Sequence, residues 1–226
     1  MNKEKLLDIY FTFSEYVVAY MINVFYVLLL ITPLYFFDFF IKENIMNVAG
    51  MFIPLIALFG MALKSLTYAF YMIYLQGKLY YKPFFWKSLS NNFLTTYLYY
   101  LTVSALLYFS VFAGLNLSHK FGSVFIVFMW FSILVFTSNM IYSTIQFAIY
   151  EKIPILSLVK NSFILSLVFG LLSVAGVIVL VYLSYKMVTS PWWLATVALP
   201  IFSGVLIVIH KLIESKNFIR GNEEKQ

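Results

Sequence analysis

The sequence predicts an all-α fold: one polytopic membrane bundle of six transmembrane helices over residues 1–216, followed by a polar tail at 217–226. Composition is the first reason. Of 226 residues, 63% are apolar, 21% aromatic and only 11% charged, whereas soluble domains run near 45–50% apolar and about 25% charged. That stock cannot cover a water-facing surface, so soluble enzymes and soluble nucleic-acid binders are excluded. Disorder is excluded by the same figures. The second reason is spacing. Residues 16–37, 44–63, 88–119, 121–150, 161–185 and 187–210 contain no Asp, Glu, Lys or Arg. A spanning helix needs about 20 apolar residues, a barrel strand about 9–11 with strict alternation. These runs are too long and too continuous for strands.

The six spans are placed at about 16–37, 50–75, 93–116, 122–150, 162–185 and 192–213. Span one follows Ser14 and Glu15. A carboxylate there suits the positive end of a helix and helps to cap it. The run exceeds the usual signal-peptide core, and Thr32-Pro33-Leu34-Tyr35 offers no small-residue cleavage pattern, so span one is expected to be retained. Pro33, Pro54 and Pro200 fall within spans and are expected to kink them. Tyr80, Tyr81, Trp86, Trp192 and Trp193 flank spans and suit the headgroup level, where ring and polar tip are both satisfied.

Fourteen of the fifteen basic residues are lysine, which argues against Arg forks for phosphate recognition. With the N-terminus inside, eleven of the fifteen fall on inner segments and only Lys42, Lys120 and Lys186 on outer loops. By the positive-inside rule both termini are cytoplasmic. The abundance of Phe, Tyr, Ile, Asn and Lys suits an AT-rich bacterial genome, and the expected location is a bacterial plasma membrane.

Two inner loops echo each other. The first runs from Pro83 through Phe85, Trp86, Lys87, Ser88, Leu89 and Asn91 to Asn92-Phe93. The second runs from Pro154 through Leu158, Val159, Lys160 and Asn161 to Ser162-Phe163. Each opens on proline, a good first helical residue, and closes on a polar step before a new span. Phe85, Leu89 and Phe93 recur every four residues, and Ile155, Leu158, Val159 and Ser162 share a helical face. Both segments are expected to be short amphipathic helices along the cytoplasmic interface. Spans two and three around the first loop run in the same directions as spans four and five around the second, the arrangement of a parallel internal repeat. Inner turns generally favour Pro, Lys, Asn and Ser, so the echo also arises without duplication.

Lys64 is the one basic residue inside an apolar stretch. An ammonium at the bilayer centre costs roughly 2.5–3.5 kcal/mol on insertion scales. The twenty uncharged residues before it suffice to span, so it is expected to snorkel to the inner interface or to pair locally, with Glu15 as a partner within topological reach. A substrate or coupling role is the alternative. Asn23, Asn139 and Gln146 lie in or near spans, where amides hydrogen-bond across helices for about 0.6–2 kcal/mol each.

Reactive groups are sparse. There is no cysteine. His119 and His210 fall at opposite ends of the topology. The sequence holds no His-Glu-x-x-His, no acidic pair within a span, no phosphate loop and no Ser/His/Asp set on one membrane side. No catalytic, cofactor or metal site is expected, and no nucleic-acid partner.

Phe13-Ser14-Glu15-Tyr16 followed by Asn23 and Pro33 resembles the opening of the YesL family of bacterial membrane proteins. Ile53-Pro54-Leu55-Ile56-Ala57-Leu58 resembles the start of that family's second span. Lys64 then falls where the family tends to place basic residues. Phe85-Trp86-Lys87 through Asn92-Phe93, and Leu158-Val159-Lys160-Asn161-Ser162-Phe163, are similar to its two inner-loop patterns. The chain differs by lacking the family's frequent Arg and its Gly-Pro pair at the second span. The family has no assigned function or catalytic residues, and its members are associated with carbohydrate uptake and breakdown in low-GC Gram-positive bacteria. The resemblance implies a non-catalytic accessory subunit of a carbohydrate ABC transporter, seated in the bilayer beside permease subunits. It leaves direct sugar binding open.

Three functions thus stand: an accessory subunit docking through its inner loops; an autonomous small-solute transporter or channel with a cavity lined by Asn23, Lys64, Asn139 or Gln146; and a membrane enzyme acting on lipid or cell-wall precursors. Thin ionisable content places the enzyme last.

Overall fold

The structure is a computed structural model describing residues 3–40, 50, 52–77, 84–150, 154–189 and 193–215. All regular structure among these residues is helical. The elements are α1 (Lys3–Phe40), α2 (Phe52–Phe70) with a π-helical turn (Tyr71–Leu75), α3 (Phe84–Ser90), α4 (Phe93–Phe121), α5 (Val124–Ile149), α6 (Ile155–Val168), α7 (Gly170–Thr189), a second π-helical turn (Leu194–Ala198) and α8 (Leu199–Ser215). The tyrosine pair Tyr80 and Tyr81, Pro191, Trp192 and the tail 217–226 lie outside the described residues.

Among the described residues five helices are long and apolar enough to cross a membrane: Thr12–Leu30, Ile53–Leu75, Phe93–Phe121, Val124–Ile149 and Thr196–Glu214. Their surface agrees with that solvent. Val127 is 68% exposed, Phe131 64% and Ile201 63%, and on the bent pair α6–α7 Leu156 and Leu171 are exposed too. Water would not tolerate so much contiguous apolar surface, whereas hydrocarbon does.

The span expected at 162–185 is not a single helix. α6 and α7 are bent by 101° at a break, centred on Phe169 (φ −102°, ψ 38°). Only the bent pair taken together makes a sixth crossing. Leu158, Ser162, Leu165 and Ser166 recur at helical spacing and are buried, so α6 is held by that stripe rather than free to continue straight. Gly170, a poor helix-interior residue, follows the break. The Ser173 hydroxyl lies 2.9 Å from the Ser166 carbonyl at the break and 3.1 Å from that of Phe169, which also accepts the Ser173 N–H at 2.9 Å.

α4 and α5 form an antiparallel hairpin. Its turn passes through Gly122 at φ +104°, a conformation that favours glycine. Where α2 crosses α4, a Cβ at Gly60 would stand 2.6–2.9 Å from the Tyr100 ring, so only glycine permits the approach. Every residue of α5 from Thr137 to Gln146 is buried. A helix segment buried all round is central to its bundle, and α2, α4, α6, α7 and α8 all contact α5.

The first inner-loop helix is short and amphipathic, with Phe84, Phe85, Ser88 and Leu89 buried and Trp86, Lys87 and Ser90 exposed. α3 does not run straight on into span three. Asn91 and Asn92 end it, with Asn92 left-handed at φ 52°, and the chain turns sharply into α4. Phe85 and Leu89 are therefore buried while Phe93 is 44% exposed. The contacts of α3 step back along α2: Phe84 meets Tyr68, with ring centroids 6.5 Å apart, and Ser88 meets Lys64. The helix packs its buried face along α2.

Two proline expectations also change. Pro54 sits in the first turn of α2, where no helical N–H is needed, so it starts the helix rather than kinking it. Pro200 lies just past the second π-helical turn, where it does interrupt the ladder.

Candidate functional site

The side chains of interest form two polar networks inside an apolar bundle. Lys64 lies halfway along Ile53–Leu75 and is only 2% exposed. Its Nζ donates to the carbonyl of Ser88 at 2.7 Å and to that of Asn91 at 3.1 Å. These acceptors close the C-terminal end of α3, whose last carbonyls have no partner within the helix and carry partial negative charge. The Asn91 N–H returns to the Lys87 carbonyl at 3.1 Å, so the ammonium takes the next acceptor along. Lys64 thus neither snorkels nor pairs with Glu15, which is exposed. A two-carbonyl cage answers the charge because the chain brings a helix C-terminus to it, the counterpart of a carboxylate at close range.

The second network ties α4, α5 and α6. The Tyr99 hydroxyl lies 2.6 Å from Asn139 Oδ1 and 2.7 Å from Ser143 Oγ. Asn139 Nδ2 donates to the Val159 carbonyl at 3.3 Å. The Tyr100 and Thr144 hydroxyls are 2.8 Å apart. One turn further on, Gln146 Nε2 donates to Ser162 Oγ at 2.8 Å. Asn139 and Gln146 therefore cross helices as expected. Asn23 does not: it is buried, and its Nδ2 donates to Ala19 of its own helix at 2.7 Å.

A third bond joins α1 to the far end of the chain. Pro200 has no N–H to offer the carbonyl four residues back, that of Thr196. The Tyr20 hydroxyl donates to that carbonyl.

The inner-loop residues divide. Phe85 is fully buried and Leu158 is 1% exposed; both pack inside the bundle and offer nothing to a docking partner. Trp86, Lys87, Asn91 and Lys160 are exposed, and Asn161 is intermediate. Trp86 stands edge-on to Tyr26 with centroids 5.4 Å apart, and Trp193 edge-on to Tyr182 at 6.4 Å. His119 is exposed. His210 is 3% exposed, flanked edge-on by Tyr71 and Tyr150, with Nε2 3.9 Å from Glu214. Among the described residues no three His, Cys, Asp or Glu side chains gather.

Sequence reasoning missed the hydroxyls. Tyr99, Tyr100, Ser143, Thr144 and Ser173 carry much of the cross-helix bonding. The signal was present as Thr137-Ser138 and Ser143-Thr144 within an otherwise apolar run, opposite Tyr99-Tyr100 on the neighbouring span.

Comparison of the chain with protein-family models, with curated proteins and with solved structures finds no match.

Proposed function

We propose that the chain is a non-catalytic, multi-pass subunit of a bacterial plasma membrane, packed laterally against the permease of a carbohydrate ABC uptake transporter, with both termini in the cytoplasm. One observation carries the non-catalytic, non-conducting part of this reading. Lys64, Asn139, Gln146 and Asn23, the polar residues within the apolar spans that were singled out for chemistry or conduction, bond to the chain itself. A solute path needs a polar lining; Asn139 borders a cavity between α4, α5 and α6, but the walls around it are mostly apolar, Leu98, Leu106, Val135 and Phe163 among them.

The reading of a lateral partner draws on shape. α7 and α8 diverge around an apolar cleft of about 770 Å³, walled by Leu172, Gly176, Val179, Phe202, Val205 and Val208 among others. Gly204, where a Cβ would meet nothing within 4 Å, leaves its wall low, which favours close helix approach in hydrocarbon. The carbohydrate assignment draws on the YesL resemblance alone, and the orientation on the lysine distribution.

The parallel repeat gains support from hydrogen bonding. Ser88 stands five residues after Pro83, and Val159 five after Pro154. Each presents its carbonyl to an amine or amide from the preceding spanning helix, Lys64 in one case and Asn139 in the other.

Purification from native membranes in mild detergent tests the function. Co-elution with two permease chains or an ATPase, and reduced sugar uptake in a deletion strain, are the expected results. A lone homogeneous monomer together with unchanged uptake overturns the proposal.

A further inference from the structure

α2, α5 and α8 finish at the same end of the bundle, and one side chain lies among their ends. His210 of α8 is 3% exposed. Tyr71, the first residue of the π-helical turn after α2, and Tyr150, which ends α5, both cross the imidazole edge-on with ring centroids 5.9 Å away. This setting serves one nitrogen of the ring. Nε2 lies 3.9 Å from the Glu214 carboxylate one turn on, whereas Nδ1 is buried with no hydrogen-bond partner among the described residues. The titratable and charged groups around it are Tyr71 from α2, whose hydroxyl accepts from Gln76 at 3.1 Å, Tyr150 from α5, and Lys211 and Glu214 on α8, both exposed. Glu151 and Lys152, which follow Tyr150, lie outside the described residues. A neutral imidazole carries one N–H and an imidazolium two, and histidine changes between them close to neutral pH. Here the second N–H is a buried cationic donor without an acceptor, a state that burial penalises heavily. Glu214 offsets little of this, since its side chain is 71% exposed and screened by water. Water satisfies both N–H groups, and the charged neighbours Lys211 and Glu214 mark the end of α8 as close to it.

We propose that His210 is an acid-operated latch on the end of α8. Neutral, it sits between Tyr71 and Tyr150 and holds the last turns of α8 against α2 and α5. Protonated, it leaves that site for water and those turns loosen. The latch is closed at and above neutral pH and opens as the pH falls through the ordinary histidine range, about 6.5 and below. It stands independently of any role in sugar uptake.

The chain has no cysteine, so one introduced thiol reports the opening. Ile213 is 1% exposed and Lys211 is exposed. The full chain in detergent, carrying either Ile213→Cys or Lys211→Cys, is labelled with a maleimide at about pH 7.5 and about pH 5.5, either side of the histidine range. The ratio of the two rates cancels the reagent's own pH dependence. The ratio for the buried site is expected to rise several-fold in acid, toward the limit of about tenfold per pH unit that one proton imposes. His210→Gln, which takes no proton, is expected to leave the ratio low at both pH values, and His119→Gln, at the exposed histidine, to leave the rise intact. A flat ratio with His210 present, a rise that survives His210→Gln, or a rise lost in His119→Gln would each overturn the latch. Should His210→Gln open the site already at neutral pH, the His119→Gln chain decides. His210 is then the one histidine, and its imidazole, followed by nuclear magnetic resonance, is expected to take up its proton over the same pH interval as the opening; opening without that uptake overturns the proposal.

Discussion

The Tyr20 hydroxyl of α1 donates to the carbonyl of Thr196, the backbone acceptor that Pro200 leaves without its helical N–H. The bond joins the first spanning helix to the last and compensates a break that the proline itself creates. The two residues should therefore be coupled. Tyr20→Phe is expected to cost about 1 kcal/mol, the usual net worth of a hydrogen bond. In a Pro200→Ala background the restored N–H satisfies Thr196, and the same change should cost less. A double-mutant cycle read by thermal unfolding in detergent checks this; equal costs in both backgrounds would show that the proline does not create the site.

Lys64 holds the C-terminal end of α3. Its replacement by Met relieves a buried charge but strands two carbonyls, so the global effect is a difference of opposing terms. The local effect has one sign. Amide exchange across 84–92 is expected to accelerate in Lys64→Met, and Lys64→Gln, which retains a donor, should restore part of the protection. Unchanged exchange in that segment would contradict the cage.

Two glycines should behave oppositely. At Gly60 a Cβ meets the Tyr100 ring at 2.6–2.9 Å, so Gly60→Ala is expected to destabilise by about 1–3 kcal/mol through overpacking. At Gly204 a Cβ meets nothing within 4 Å. Gly204→Ala should be neutral or stabilising by up to about 1 kcal/mol, the helix-propensity gain. Unfolding midpoints of both variants, measured in one detergent, provide the comparison.

Tyr99 and Asn139 meet at 2.6 Å across α4 and α5. Tyr99→Phe and Asn139→Leu are expected to show a coupling of about 0.6–1.7 kcal/mol, the range for hydrogen bonds between helices in membranes. Additive effects would mean that the contact contributes nothing specific.

Much of the architecture was legible in the charge-free runs, because bilayer thickness imposes a length that composition alone reveals. Span four (122–150) agrees with α5 to within two residues, and span three (93–116) starts with α4 but stops five residues short of its end. The fifth was misread because hydropathy does not register a bend. Phe169-Gly170 is as apolar as a straight helix, and the Ser173 hydroxyl that reaches the Ser166 carbonyl is one serine among many. Lys64 was identified but its destination was not. Its acceptors are main-chain oxygens 24 and 27 residues away, and a carbonyl has no residue-type signature. The only hint was Asn91-Asn92, amides able to end a helix in the left-handed region. Asn23 bonds within its own helix for a related reason: sequence shows that a polar group is present in a span but not which of several carbonyls is nearest.

The central claim is that the polar groups within the spans serve the bundle and not a solute. Reconstitution of the purified chain alone into liposomes tests it most directly. Uptake of labelled mono- and disaccharides is predicted to equal that of protein-free liposomes, with or without a membrane potential. Saturable uptake or counterflow by this chain alone would contradict the account.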